Sequence, residues 1–174
     1  MAVQCRGKAE MINMFNIGNI VVYCNSEICV VKDIRKENFT GEKKLYYVLK
    51  PITEKGTTVY HPVDGDETKI RLPMTAENAS LLLKSDFVSA VEWHTNDIAR
   101  KESFDEIIKE KDSLKLLGLI NLITRKKIEK SDESKKLRAA DEKVLNDAKI
   151  LILKEFSYVL QKTEDEILKM ITQK

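Results

Sequence analysis

The sequence is poor in residues that break or cross-link a chain. Of its 174 residues, three are proline, six glycine, three cysteine, two histidine and one tryptophan. The odd set Cys5, Cys24 and Cys29 argues against a disulfide framework and fits a reducing compartment. Cys24 and Cys29 supply at most half a metal site, because no second pair follows and His61 and His94 lie far from both. Buried strand thiols are the simpler reading. No apolar run approaches the roughly 18 residues of a membrane span, and residues 1–13 lack the apolar stretch of a secretory signal. An excess of one charge is missing too, since 30 Lys+Arg against 28 Asp+Glu leave a net +2. With 43% apolar residues the chain can bury a core and is not a disordered tail. The expectation is a soluble cytoplasmic protein.

What is present falls into two halves. Residues 1–13 carry no periodic pattern and read as an extension, expected to be disordered. From Met14 onward come short β-branched and aromatic runs, Asn19–Cys24, Ile28–Ile34, Leu45–Lys50, Thr57–His61 and Lys69–Leu72. Asn25-Ser26-Glu27, Gly41–Lys44, Glu54-Lys-Gly56 and Asp64-Gly65-Asp66 read as the turns between them. Pro62 and Pro73 end their strands, having no N–H to give to a ladder. Five strands this close together predict a small, strongly bent antiparallel sheet or barrel over 14–75.

Past Pro73 the apolar period changes from 2 to 3.6, and 76–174 reads as an all-α unit, making the fold class α+β. Thr75 caps a short helix to Leu83. From Trp93 to the C-terminus there is no proline and a single glycine, Gly118. The spacing predicts helices over Asp97–Glu110 (Ile98, Phe104, Ile107 and Ile108 inward), Ser113–Lys126 and Asp141–Gln161. A last helix opens at the capping box Thr163-Glu-Asp-Glu166.

The charge is informative only when split. Residues 14–75 carry nine basic and eight acidic side chains, and 76–174 carry nineteen of each, so neither half binds nucleic acid by bulk charge. One cluster stands out. Between Arg125 and Lys143 lie eight cations, among them Arg125, Lys126, Lys127, Lys136, Arg138 and Lys143, against five carboxylates. The lone Trp93 has two readings, a core residue or a half-exposed junction residue. In the second, an indole near cations can stack on or wedge against a base, while Arg100 and Lys101 pair with flanking phosphates.

The order of these features resembles the CarD family of bacterial RNA polymerase-binding transcription regulators. Phe15-Asn-Ile-Gly-Asn-Ile-Val-Val-Tyr23 is similar to the family's first strand. Gly41, Leu45-Tyr-Tyr-Val-Leu49, Thr58-Val-Tyr-His-Pro62, Arg71-Leu72, the Trp93 junction and Asp141-Glu-Lys143 come after it in family order, over about residues 14–160. The resemblance implies a Tudor-like or SH3-like β-barrel domain that binds the β-subunit lobe of RNA polymerase. It also implies a helical domain that contacts promoter DNA. The β half is similar as well to the polymerase-interacting domain of transcription-repair coupling factor, but no Gly-x-x-x-x-Gly-Lys-Ser/Thr motor motif is present.

Carried onto this chain, Trp93 would be a minor-groove wedge and Arg100, Lys101 and Lys143 phosphate contacts. Arg125, Lys126, Lys127, Lys136 and Arg138 join them from the charge count. The expected polymerase edge is Val59, Tyr60 and His61. The chain departs from the family pattern at Cys24-Asn-Ser-Glu27, where a Pro-x-His-Gly turn is usual, at Tyr60 in place of arginine, and at Glu37 in place of a basic residue. The expected function is a non-enzymatic regulator that binds polymerase and promoter DNA, largely without sequence preference, and shifts open-complex stability. The alternative is a protein–protein adaptor without DNA contact. No convergent set of titratable groups suggests an enzyme, and no cofactor, membrane or small-molecule substrate is implied.

Overall fold

The computed structural model describes residues 15–53 and 56–174. The expected 1–13 extension, Cys5, and Glu54 and Lys55 of one expected turn lie outside the described residues. Five strands come first: β1 (Ile20–Tyr23), β2 (Glu27–Glu37), β3 (Lys44–Pro51), β4 (Val59–Pro62) and β5 (Ile70–Arg71). Five helices come next: α1 (Ala76–Lys84), α2 (Asp97–Glu110), α3 (Ser113–Asp132), α4 (Ala139–Leu160) and α5 (Glu164–Thr172). The α+β class therefore stands. The barrel does not. The strands form one antiparallel sheet in the order β4-β3-β2-β1-β5, with β4 and β5 at opposite ends. Closure needs the end strands to pair. β5 is only two residues long, with Pro73 just beyond it, and β4 stops after four at Pro62, so neither offers a ladder long enough.

Two compact units emerge, and they cut the sheet. One comprises the described residues up to Ile20 together with Cys29–Glu67; the other comprises Val21–Ile28 with Thr68–Lys174. In the first, β3 lies between β2 and β4, and Tyr46 to Leu49 are all buried, so both faces of that strand are covered. Phe15 meets Tyr47 edge-on at 5.6 Å and closes one side. The β2–β3 register slips between Val31 and Asp33, where Lys32 is the extra residue of a bulge, which raises the local twist. Gly41 turns the hairpin at φ +91°, a conformation an L side chain rarely adopts.

In the second unit β1 and β5 pair through Val22–Arg71 and Tyr23–Ile70. Thr75 caps α1 by accepting from the Asn78 N–H. The core gathers Phe87, Phe104, Leu117, Ile120, Ile123, Phe156, Ile167 and Ile171, all sealed from solvent. Gly118 lets the single turn Val88–Ala90 lie directly on α3; a Cβ there would collide with the Phe87 carbonyl. The capping box at Thr163 and Glu166 forms as the spacing predicts. Two expectations need correction. Ile98, expected inward, is 71% exposed. The buried stripe of α2 is Arg100, Phe104 and Ile107, and a residue two positions before Arg100 lies about 200° round the helix. α3 also runs six residues past Lys126, because the helix continues on polar residues after its apolar face ends.

Candidate nucleic-acid interface and strand edge

Asn96 starts the local architecture of the helical unit. Its Oδ1 accepts from the N–H groups of Ile98 (2.9 Å) and Ala99 (3.1 Å), which caps α2 and sets the phase of its first turns. That phase turns Arg100 and Phe104, four residues apart, toward the buried side. Trp93, just upstream, is half-buried. Its ring meets Phe104 edge-on at 6.0 Å, with the Arg100 guanidinium carbon 4.6 Å and the Lys126 ammonium 6.0 Å from the ring centre. The indole is thus neither sealed in the core nor detached from it.

Arg100 is only 4% exposed, and its donors are spoken for. Nε and Nη2 donate to the two carboxylate oxygens of Asp141 (3.2 and 3.3 Å). Nη2 also donates to Asp97 (2.7 Å) and Nη1 to the His94 carbonyl (2.9 Å). The other Asp97 oxygen accepts from Arg138. Burial works against the Arg100 charge, but the hydrogen bonds to Asp141 and Asp97 outweigh it and hold the guanidinium above its ordinary range. The Asp97 carboxyl is held below the usual carboxylate range, first by its hydrogen bond from Arg100 and then by the charge of Arg138. Ile98, Lys101, Arg138 and Val144 line a groove of about 470 Å³ beside this network.

The expected cations divide accordingly. Arg100, Lys126 and Arg138 are tied to the Trp93 neighbourhood by these contacts. Lys127 pairs with Glu142 (3.1 Å) in the first turn of α4, one residue after Asp141, and Lys101 shares the groove with Arg138. Lys126 is itself paired with Glu129 at 2.6 Å. Arg125, Lys136 and Lys143 are exposed, and no contact links them to the indole. Sequence reasoning passed over the organising acids Asp97 and Asp141. The i,i+3 spacing of Asp97 and Arg100 was a usable signal for the first; the Arg100–Asp141 pair spans 41 residues and had none.

In the strand unit, β4 is an end strand of the sheet. Val59 and Tyr60 are half-buried, whereas His61 is 4% exposed and lies against Gly65. Two of the three departures from the resembled pattern, Tyr60 and Glu37, meet here. Arg35 donates to the Tyr60 hydroxyl (2.9 Å) and to Glu37 (2.7 Å). Phe39, more than half exposed, packs edge-on against Tyr60 (5.0 Å) and Tyr46 (5.2 Å). Arg35 and Phe39 were not singled out from sequence, since only the β2–β3–β4 register brings them beside Tyr60.

Among the described residues no three His, Cys, Asp or Glu side chains converge to hold a metal ion. Cys29 is buried in β2, but Cys24, expected to be a buried strand thiol, is exposed at the turn. Nor is any described helix long and apolar enough to cross a membrane. No curated protein matches the sequence. Residues 15–74, which carry all five strands and end before α1, match the CarD-like/TRCF RID domain family, so the chain is a protein with a CarD-like RNA polymerase-interacting domain.

Proposed function

We propose that the chain is a transcription regulator that docks on the β-subunit lobe of RNA polymerase with its strand module, residues 14–75, and touches promoter DNA with its helical module, residues 76–174. The matched domain is a protein-interaction domain, not a catalytic one. Docking runs along the β4 edge at Val59, Tyr60 and His61, where a strand of the partner adds to the sheet. His61 is buried, so Tyr60, Arg35 and Phe39 supply the side chains. Docking raises the local concentration of the helical module at DNA, so weak contacts suffice.

The observation that carries the DNA half is the half-buried Trp93, anchored on Phe104 and Arg100 with Lys126 nearby. Such an indole wedges into a kinked or opened step, while Lys101, Arg125, Lys126, Lys127, Lys136, Arg138 and Lys143 reach phosphates. Binding melted DNA more tightly than closed duplex shifts the promoter toward the open state, tenfold for about 1.4 kcal/mol of difference. The second reading, an adaptor without DNA contact, is favoured by one observation: Lys126, Lys127 and Arg138 are already paired with Glu129, Glu142 and Asp97.

Open-complex lifetime, measured with the full chain and polymerase, separates the two. Trp93→Ala should shorten it about tenfold, since a stacked base is worth about 1–3 kcal/mol. An unchanged lifetime, with polymerase still captured, leaves the adaptor. Tyr60→Ala should instead weaken polymerase capture itself.

A further inference from the structure

We infer that Arg100 is a positioning residue for Trp93: its buried guanidinium, clamped by Asp97 and Asp141, fixes the indole in one orientation. Its importance for promoter binding rests on the proposed DNA contact; the clamp itself does not. An arginine is rarely this buried unless it is paired, and here the pairing is nearly complete. Four hydrogen bonds engage its edge, to Asp141 twice, to Asp97 and to the His94 carbonyl. Its Cζ lies over the Trp93 ring, 4.6 Å from the ring centre. The guanidinium is thus held between α2 and α4 with the indole against it, and Phe104 fixes a second edge. The His94 carbonyl extends the hold to the backbone one residue after Trp93, so both the ring and the chain that carries it are pinned.

This placement removes Arg100 from the surface that could meet a phosphate and gives it a different task. A wedge held in one rotamer binds without first being ordered, so holding it beforehand raises affinity without adding a contact. It also explains why arginine stands here. Lysine would keep the charge but has neither the planar face nor the fork that engages two carboxylates at once.

The single tryptophan makes the clamp directly readable in the full chain without DNA. In wild type, time-resolved fluorescence anisotropy of Trp93 should decay almost entirely with overall tumbling. A dominant fast local component in wild type would overturn the clamp with no variant needed. Arg100→Lys, kept only if far-UV circular dichroism and a cooperative melt show it folded, should show a fast component. It should also be quenched by acrylamide roughly twofold more efficiently, because the clamped guanidinium over the ring is lost while the charge remains. A folded Arg100→Lys with wild-type anisotropy also overturns the clamp. Ile171→Val, which loosens the core elsewhere, serves as the control and should leave anisotropy unchanged. The wedge reading fails separately: if wild-type anisotropy is slow but Trp93→Ala leaves open-complex lifetime unaltered, the clamp stands and the DNA role does not.

Discussion

Asp97 receives two guanidinium groups, from Arg100 inside and Arg138 outside. Its carboxyl titrates below the ordinary aspartate value of 3.8. The unfolded chain therefore takes up that proton more readily than the native one. Stability from this group is complete above the ordinary value and is lost as pH falls from there through the native value. Melting temperature, followed by circular dichroism, should lose an Asp97-dependent contribution only below about pH 4. Asp97→Asn should show a shallower acid fall than wild type. The local half of this site left one signal that the sequence reading passed over, the three-residue step from Asp97 to Arg100. Asp141 left none, because nothing local marks which carboxylate a buried arginine will find 41 residues away.

At the scale of elements, spacing carried most of the information. The bounds Asp97–Glu110 and the capping box at Thr163 come from periodicity and cap chemistry alone, which act over three or four residues. Ile98 shows the limit of counting apolar residues without tracking helical phase. Gly118, the lone glycine of the helical half, had no evident reason in the sequence; the structure supplies one. A Cβ there would meet the Phe87 carbonyl and come within 3.2 Å of Val91 Cγ2. Alanine normally improves a helix interior by about 1 kcal/mol over glycine. Here backbone cannot give way, so Gly118→Ala should instead lower unfolding free energy by about 1–3 kcal/mol, measured by urea denaturation.

At the scale of the whole chain, the family match and the compact units divide it differently. The match ends at residue 74, yet Val21–Ile28 and Thr68–Met74 fall in the unit that holds the helices. The bonds within that unit explain why. Arg71, in β5, grips Glu155 of α4 with two hydrogen bonds of 2.7 and 2.6 Å, and the Met74 N–H adds a third at 2.8 Å. Glu27 pairs with Lys154 at 2.5 Å, and Ser26 donates to the Leu151 carbonyl. Glu155 is 1% exposed, so Arg71→Ala strands a buried carboxylate. Its cost should be about 2–3 kcal/mol in a thermal or urea melt, below the value for a fully buried pair because Arg71 is half in water. Glu155→Gln, which keeps an acceptor for Met74 and leaves Arg71 to solvent, should cost less.

By itself, the amino-acid order determined which segments are strands and which are helices, where prolines and caps end them, and that one tryptophan stands at a junction near cations. These are short-range properties, set by alternation, by a 3.6-residue period and by side chains bonding to backbone within a turn. Only the tertiary structure decided that the sheet stays open, that Tyr60 shares Arg35 with Glu37, and that Arg100 turns inward to hold the indole. Those outcomes depend on which faces meet across tens of residues, where packing and the need to neutralise a buried charge choose among partners that look equivalent along the chain.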